Sequence, residues 1–137
     1  MISKPLELAI KWGLKKGDPM IIKSQDRLKE ERLEMRGGKG TISISHCAWK
    51  ESLHPQARFI AEMKIPVGGS IGEHEHLHET EYYIITKGEA EVTDDGVARK
   101  VSAGDVVVTA HGGKHAIRNS GANVLEFCAV IIKDKLS

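Results

Sequence analysis

The chain has 137 residues, of which 40% are hydrophobic and 28% charged, and its formal net charge is +1. That length allows one domain with a proper core and excludes two, and the near-neutral balance argues against nucleic acid as the main partner, because such binders concentrate basic charge on one face. Two cysteines, Cys47 and Cys128, are too few for a disulfide scaffold and form no CxxC pair, so buried reduced thiols are expected.

In chain order, residues 5–16 fit a short amphipathic helix begun by Pro5 and ended by Gly17-Asp18-Pro19. Glu7, Lys11, Lys15 and Lys16 interrupt any long apolar run. No secretory signal and no membrane-spanning stretch is expected, and the reading is a cytoplasmic protein with no membrane partner. Charge is uneven along the chain. Residues 1–40 hold ten Lys and Arg against six Asp and Glu, a net +4 that leaves −3 for the remainder. This basic segment is either a solvated arm or a flap that attracts an anionic substrate. Asp26–Arg36 is dense in charge, with Leu28, Leu33 and Met35 as its apolar residues, and fits a helix or an extended arm. Gly37-Gly38-Lys39-Gly40 is expected to be a hinge or turn into the next unit. The division is therefore an N-terminal arm over 1–39 and a β-domain over 40–137.

From Thr41 onward the apolar period becomes two. Ile42, Ile44 and His46 alternate with serines, and Phe59, Ala61, Met63 and Ile65 alternate with Arg58, Ile60, Glu62 and Lys64. Residues 81–86 are apolar on both faces, so one face meets the interior and the other meets something else. Asp94-Asp95-Gly96 reads as a hairpin turn. Segments 106–109, 114–119 and 124–132 complete the strands, with Leu125, Phe127, Ala129 and Ile131 inward and Glu126 outward. About nine short strands separated by turn signals indicate an all-β sandwich or barrel.

One constellation carries chemistry. Residues 68–88 read Gly68-x5-His74-x-His76-x4-Glu81-x6-Gly88, and residues 104–119 read Gly104-x5-Ala110-x-Gly112-x2-His115-x3-Asn119. His74 and His76 are two apart, so both leave the same face of an extended strand. Glu81 lies just beyond, and His115 arrives from a second hairpin. Three imidazoles and one carboxylate make a mixed nitrogen and oxygen site for one divalent ion: Mn, Fe, Co, Ni, Cu or Zn. Without a cation, these polar groups would be costly to bury together.

The two segments resemble the paired motifs of the cupin superfamily, whose small β-barrels carry a metal on three histidines and one glutamate. The first motif fits at Gly68, His74, His76, Glu81 and Gly88, and the second at Gly104, Gly112, His115 and Asn119. The chain departs at Ala110, where the pattern prefers proline. The resemblance covers about residues 40–132. It implies a single-domain double-stranded β-helix barrel of jelly-roll type and a homodimer. It also implies a metal-dependent enzyme, a dioxygenase, isomerase, decarboxylase or lyase, acting on a small carbonyl, carboxylate or sugar compound. A non-catalytic binding or sensor barrel using the same metal is the alternative. A metal-free epimerase is a third reading, which the complete ligand set opposes.

Among the remaining residues, Tyr83 shares the face of Glu81 and is the candidate catalytic residue, orienting substrate or moving a proton; the alternative is a core tyrosine. His46 is expected to line the cavity. His78 is a partner of the ligands, a substrate contact or an exposed loop residue, and His54 and His111 are surface residues. Arg58, Lys64 and Arg118 are expected to be solvated, and the cavity to hold few polar groups beyond the ligands. Tyr82 and Ile84 face outward and, with Leu6, Leu8, Ile10 and Trp12, suggest a dimer interface.

Overall fold

Strand parity in this chain is strict enough to build two sheets with one shared interior. The structure, a computed structural model, describes residues 20–135; the expected helix over 5–16 lies outside them. One sheet has six strands in the order β1 (Lys29–Leu33), β2 (Thr41–Ala48), β3 (Ala57–Ile65), β10 (Leu125–Lys133), β5 (Glu79–Lys87) and β8 (Val106–Thr109). The other has four, in the order β4 (Ser70–Glu75), β9 (Lys114–Asn119), β6 (Glu89–Asp94) and β7 (Val97–Ser102). Every pairing is antiparallel. This is the all-β double-stranded β-helix expected from the sequence. Among the described residues no helix is long and apolar enough to cross a membrane.

The core follows the period of two. Ile42 and Ile44 on β2, Ala61, Met63 and Ile65 on β3, and Leu125, Phe127 and Ala129 on β10 face inward and are buried. Ile71, Val92 and Ile117 answer them from the four-stranded sheet. Asp95 and Gly96 close the β6–β7 hairpin with positive φ at both positions, as the expected tight turn requires. Asn119, from the second motif, is buried; its amide nitrogen donates to the carbonyls of Ile65 and Asn123 and so staples the loop before β10.

Asp26–Arg36 is neither a helix nor a free arm. A 3-10 turn (Ser24–Asp26) leads into β1, which pairs with β2 in the register Glu31↔Ser43, and a second 3-10 turn spans Met35–Gly37. Four charged residues in the five of β1 suit an edge strand, where side chains reach water. Glu34 and Arg36 take left-handed backbone, φ 51° and 55°, which costs non-glycine residues roughly 1–2 kcal/mol each. The segment is held down against β4 at two glycines. A Cβ at Gly38 would overlap the carbonyl oxygen of Ser70, and one at Gly72 would overlap that of Arg36. Of the expected hinge or turn, the structure has the turn, with Gly38 packed tightly against β4.

Candidate metal centre

The four expected ligands arrive from three strands and the end of one. His74 lies on β4, His76 immediately after it, Glu81 on β5 and His115 on β9, where His115 is the cross-strand partner of His74. Glu81 pairs with Thr109 of β8 and Ile131 of β10, which anchors it in the six-stranded sheet. The site therefore sits between the sheets, and its ligand atoms all lie within 4.8 Å of one another.

Hydrogen-bond partners fix which imidazole nitrogens face inward. Nδ1 of His74 lies 2.8 Å from the carbonyl oxygen of Gly72. A carbonyl only accepts, so this nitrogen carries the proton and Nε2 keeps a lone pair. Nδ1 of His76 is 2.7 Å from Oε2 of Glu79, with the same consequence. Nδ1 of His115 is 2.8 Å from Oγ1 of Thr109, itself buried.

The Nε2 atoms then converge, 3.0 Å between His76 and His115 and 2.9 Å between His115 and His74. Oε1 of Glu81 lies 2.9 Å from Nε2 of both His76 and His115, and 3.7 Å from that of His74. Yet this buried oxygen has no hydrogen-bond partner among the described residues. Lone pairs and a negative oxygen facing one another out of water are costly. A cation among them removes that cost, and the nitrogen and oxygen donors suit a divalent transition metal. The residues fit the ion.

Electrostatics at the ligands agree. Burial pushes the Glu81 carboxyl up, but His115, His74 and His76 outweigh it and hold Glu81 well below the usual carboxylate range. Burial dominates at His115 and keeps its imidazole below the ordinary value in spite of Glu81. At His76 burial opposes the charge too, yet Glu81 and Glu79 together raise it.

Tyr83 faces inward, as the parity predicts, and is 2% exposed. Its ring stacks on His115 with centroids 4.8 Å apart and planes 18° apart, and tilts against Phe127 at 4.5 Å. Burial, then the Glu81 charge, pushes the phenol well above its ordinary value. It stays protonated at neutral pH.

Beside His74, His76, Glu81 and Tyr83 lies a cavity of about 80 Å³. Drug-sized pockets run to ~300–1,000 Å³, so this one admits a compound of only a few heavy atoms. Its walls carry Arg32, Arg36 and Arg58. This corrects two expectations, that the cavity is poor in polar groups beyond the ligands and that Arg58 is merely solvated. Arg58 grips both oxygens of Glu79, Nε at 2.9 Å and Nη2 at 2.7 Å, and Glu79 in turn holds His76. Burial pushes the Glu79 carboxyl up, but Arg58 and His76 outweigh it and hold it low.

Lys64 and Arg118 remain half-exposed beside Glu126 and Glu91. His46 points inward but does not wall the metal cavity. Its Nε2 is 2.6 Å from Oε2 of Glu30, and its ring meets the edge of Phe59. His78 occupies a left-handed turn position, φ 58°, between β4 and β5, and His54 and His111 are exposed. Sequence reasoning missed Glu79, Thr109, Arg32 and Arg36. For Glu79 and Thr109 the signal was weak: a carboxylate three residues after a ligand and a hydroxyl six before one.

Three comparisons place this geometry among known proteins. The family model for the cupin domain matches residues 61–131, a span that holds all four ligands. An oxalate-binding protein of Thermotoga maritima is 43% identical over 119 residues, covering 87% of this chain and 98% of that protein. A crystal structure from the same organism, described as a predicted oxalate decarboxylase, superposes with a TM-score of 0.78 at 43% identity, covering 83% of this chain and 99% of that one. A polyketide cyclase from Streptomyces resistomycificus shares the fold at 17% identity, with a TM-score of 0.67 over 86% of this chain and 81% of that one. By family model, by sequence and by fold, the chain belongs to the cupin family.

Proposed function

We propose that this protein holds a small dicarboxylate of the oxalate type against a divalent metal on His74, His76, Glu81 and His115. The observation that carries the reading is the cavity itself, whose lining combines residues of a cation site with three arginines and leaves space for a few heavy atoms. Oxalate is the compound named for the Thermotoga maritima relative and for the Thermotoga maritima crystal structure, and it meets all three conditions. A sugar is too large for about 80 Å³. A bound metal supplies charge neutralisation and polarisation of a chelated carboxylate. The chain's own residues do the rest. Gly72 and Glu79 fix imidazole tautomers, Glu81 contributes the negative ligand, and Phe59, Met63 and Ile131 keep the inner wall apolar.

The test is calorimetric titration of oxalate into metal-loaded and chelator-stripped protein. Stoichiometric binding only in the loaded form supports the reading, and equal binding in both forms refutes it.

A second reading adds turnover, and Tyr83 favours it. Loss of carbon dioxide from oxalate leaves an electron pair on carbon that takes one proton to give formate. A buried phenol kept protonated by burial and by Glu81 is a proton donor at the cavity wall. Formate release from oxalate by the metal-loaded protein distinguishes an enzyme from a binding barrel.

The protein further pairs with a second copy through the outer face of β5 and β8. Tyr82 pairs with Val108, and Ile84 with Val106, across the two strands. These four apolar side chains are 37% to 53% exposed, and strand faces of this kind are normally covered. The expected contributors Leu6, Leu8, Ile10 and Trp12 lie outside the described residues.

A further inference from the structure

Of the three arginines on the cavity wall, two are already engaged. Arg58 holds both oxygens of Glu79. Arg32 donates from Nε to Oε1 of Glu30 at 2.7 Å, and the other oxygen of Glu30 is bonded to His46. Arg36 differs. It faces the same cavity as His74, His76, Glu81 and Tyr83, yet among the described residues it pairs with no carboxylate.

The backbone around Arg36 is built to hold this placement. Arg36 sits in the left-handed region (φ 55°, ψ 29°), two residues after Glu34 in the same region. Asparagine or glycine is the ordinary occupant of such a position, and arginine carries a steric penalty there. Its carbonyl oxygen is pressed onto β4 where only a glycine fits, at Gly72, two residues before the ligand His74. Gly38 makes the matching close approach to Ser70. Strain that persists under such clamping is characteristic of functional positions.

Charge counting points the same way. A divalent ion and the Glu81 carboxylate leave one positive charge at the centre, and Arg36 adds a second. A dianion entering the cavity cancels both, one charge at the buried ligands and one at the exposed guanidinium of Arg36, whereas a monoanion leaves one uncompensated. We infer that Arg36 is the specificity-determining residue for the ligand. Its free guanidinium takes the carboxylate oxygens that the metal does not, and the β1–β2 turn exists to deliver it. This rests on the metal-chelated dicarboxylate reading above and names the residue that selects a dianion. The planar fork of a guanidinium suits a carboxylate, which a lysine ammonium matches only as a point charge.

The test uses Arg36→Gly and Arg36→Lys in the full chain, loaded with Mn(II) as a paramagnetic probe. Glycine accepts the left-handed turn freely, so Arg36→Gly removes the guanidinium while keeping the backbone. Mn(II) affinity and the electron paramagnetic resonance signal of the bound ion should match wild type. Oxalate affinity should fall by about 10- to 100-fold, the range for a lost charge-assisted pair, and Arg36→Lys should recover part of it. Unchanged oxalate affinity in Arg36→Gly, with wild type binding normally, overturns the inference and leaves the dicarboxylate reading standing. Loss of Mn(II) binding in Arg36→Gly shows a structural role and also overturns it. A wild-type protein that binds Mn(II) but not oxalate overturns both.

Discussion

Oε2 of Glu79 lies 2.7 Å from Nδ1 of His76, and the same carboxylate is gripped from its other side by Arg58. This contact decides which nitrogen of His76 faces the metal, and it raises the basicity of the ligand. Glu79→Ala is expected to lower metal affinity by about 10- to 100-fold, the usual effect of losing a carboxylate behind a ligating histidine. Glu79→Gln, whose carbonyl still accepts from His76, should lose less. Competition with a chelator of known affinity measures both, and wild-type affinity in Glu79→Ala would count against the role.

Metal affinity should fall as the pH drops, because each imidazole must be unprotonated to ligate. His76 has a raised pKa, so proton competition begins at higher pH than for an ordinary imidazole with its value of 6.5. In the metal-free protein His76 acts with the reverse sign, and His115, held below its ordinary value by burial, offsets it. A raised histidine pKa contributes stability that is fully present below about pH 6.5 and is lost as pH rises through the folded value. Thermal melts of metal-free and metal-loaded protein across this window should therefore diverge as pH rises. Parallel curves would contradict this.

Gly38→Ala should destabilise the fold without touching a ligand, since its Cβ would overlap the carbonyl oxygen of Ser70. A cost of about 1–3 kcal/mol is expected for forcing such a contact apart. A melting temperature within a degree of wild type would show that the clamp yields freely.

The metal quartet was legible because it depends on strand parity and short spacings, both of which the sequence displays. The inward faces of β3 and β10 were legible for the same reason. Arg36 was not. Its arrival over the cavity depends on Gly38 and Gly72 letting two distant segments touch, a long-range contact without a periodic signature. The strand at Lys29–Leu33 was hidden because an edge strand rich in charge has no apolar alternation. Arg58 reads correctly as off the core face, but parity does not say that its strand position lies beside Glu79 at the cavity mouth. His46 shows the limit from the other side: its inward direction was right, while Glu30 of β1 occupies it.

Tyr83→Phe removes one hydroxyl and leaves the stack on His115 and Phe127 intact. Melting temperature and metal content should stay near wild type, while formate release from oxalate should fall by roughly 10²-fold, the scale of a lost proton donor. Turnover at the wild-type rate would make Tyr83 a structural residue.

For the pairing of two copies, light scattering at tens of micromolar should report a dimer, with an interface above about 1,000 Å² in total. Ile84→Glu places a charge in the centre of the outer patch of β5 and should yield monomers with metal binding preserved. A wild-type monomer would remove this proposal.

Three imidazoles and one orphaned carboxylate oxygen should enclose a cation in the purified protein. Elemental analysis of protein purified without chelator or affinity metal tests it most directly, alongside His115→Ala and Glu81→Gln. Close to one divalent transition metal per chain is expected in wild type and a large loss in both variants, with ligand distances of about 2.0–2.3 Å once a loaded structure is solved. Wild-type protein that stays metal-free after exposure to Mn, Fe, Co, Ni, Cu and Zn salts, or variants that retain full occupancy, would contradict it.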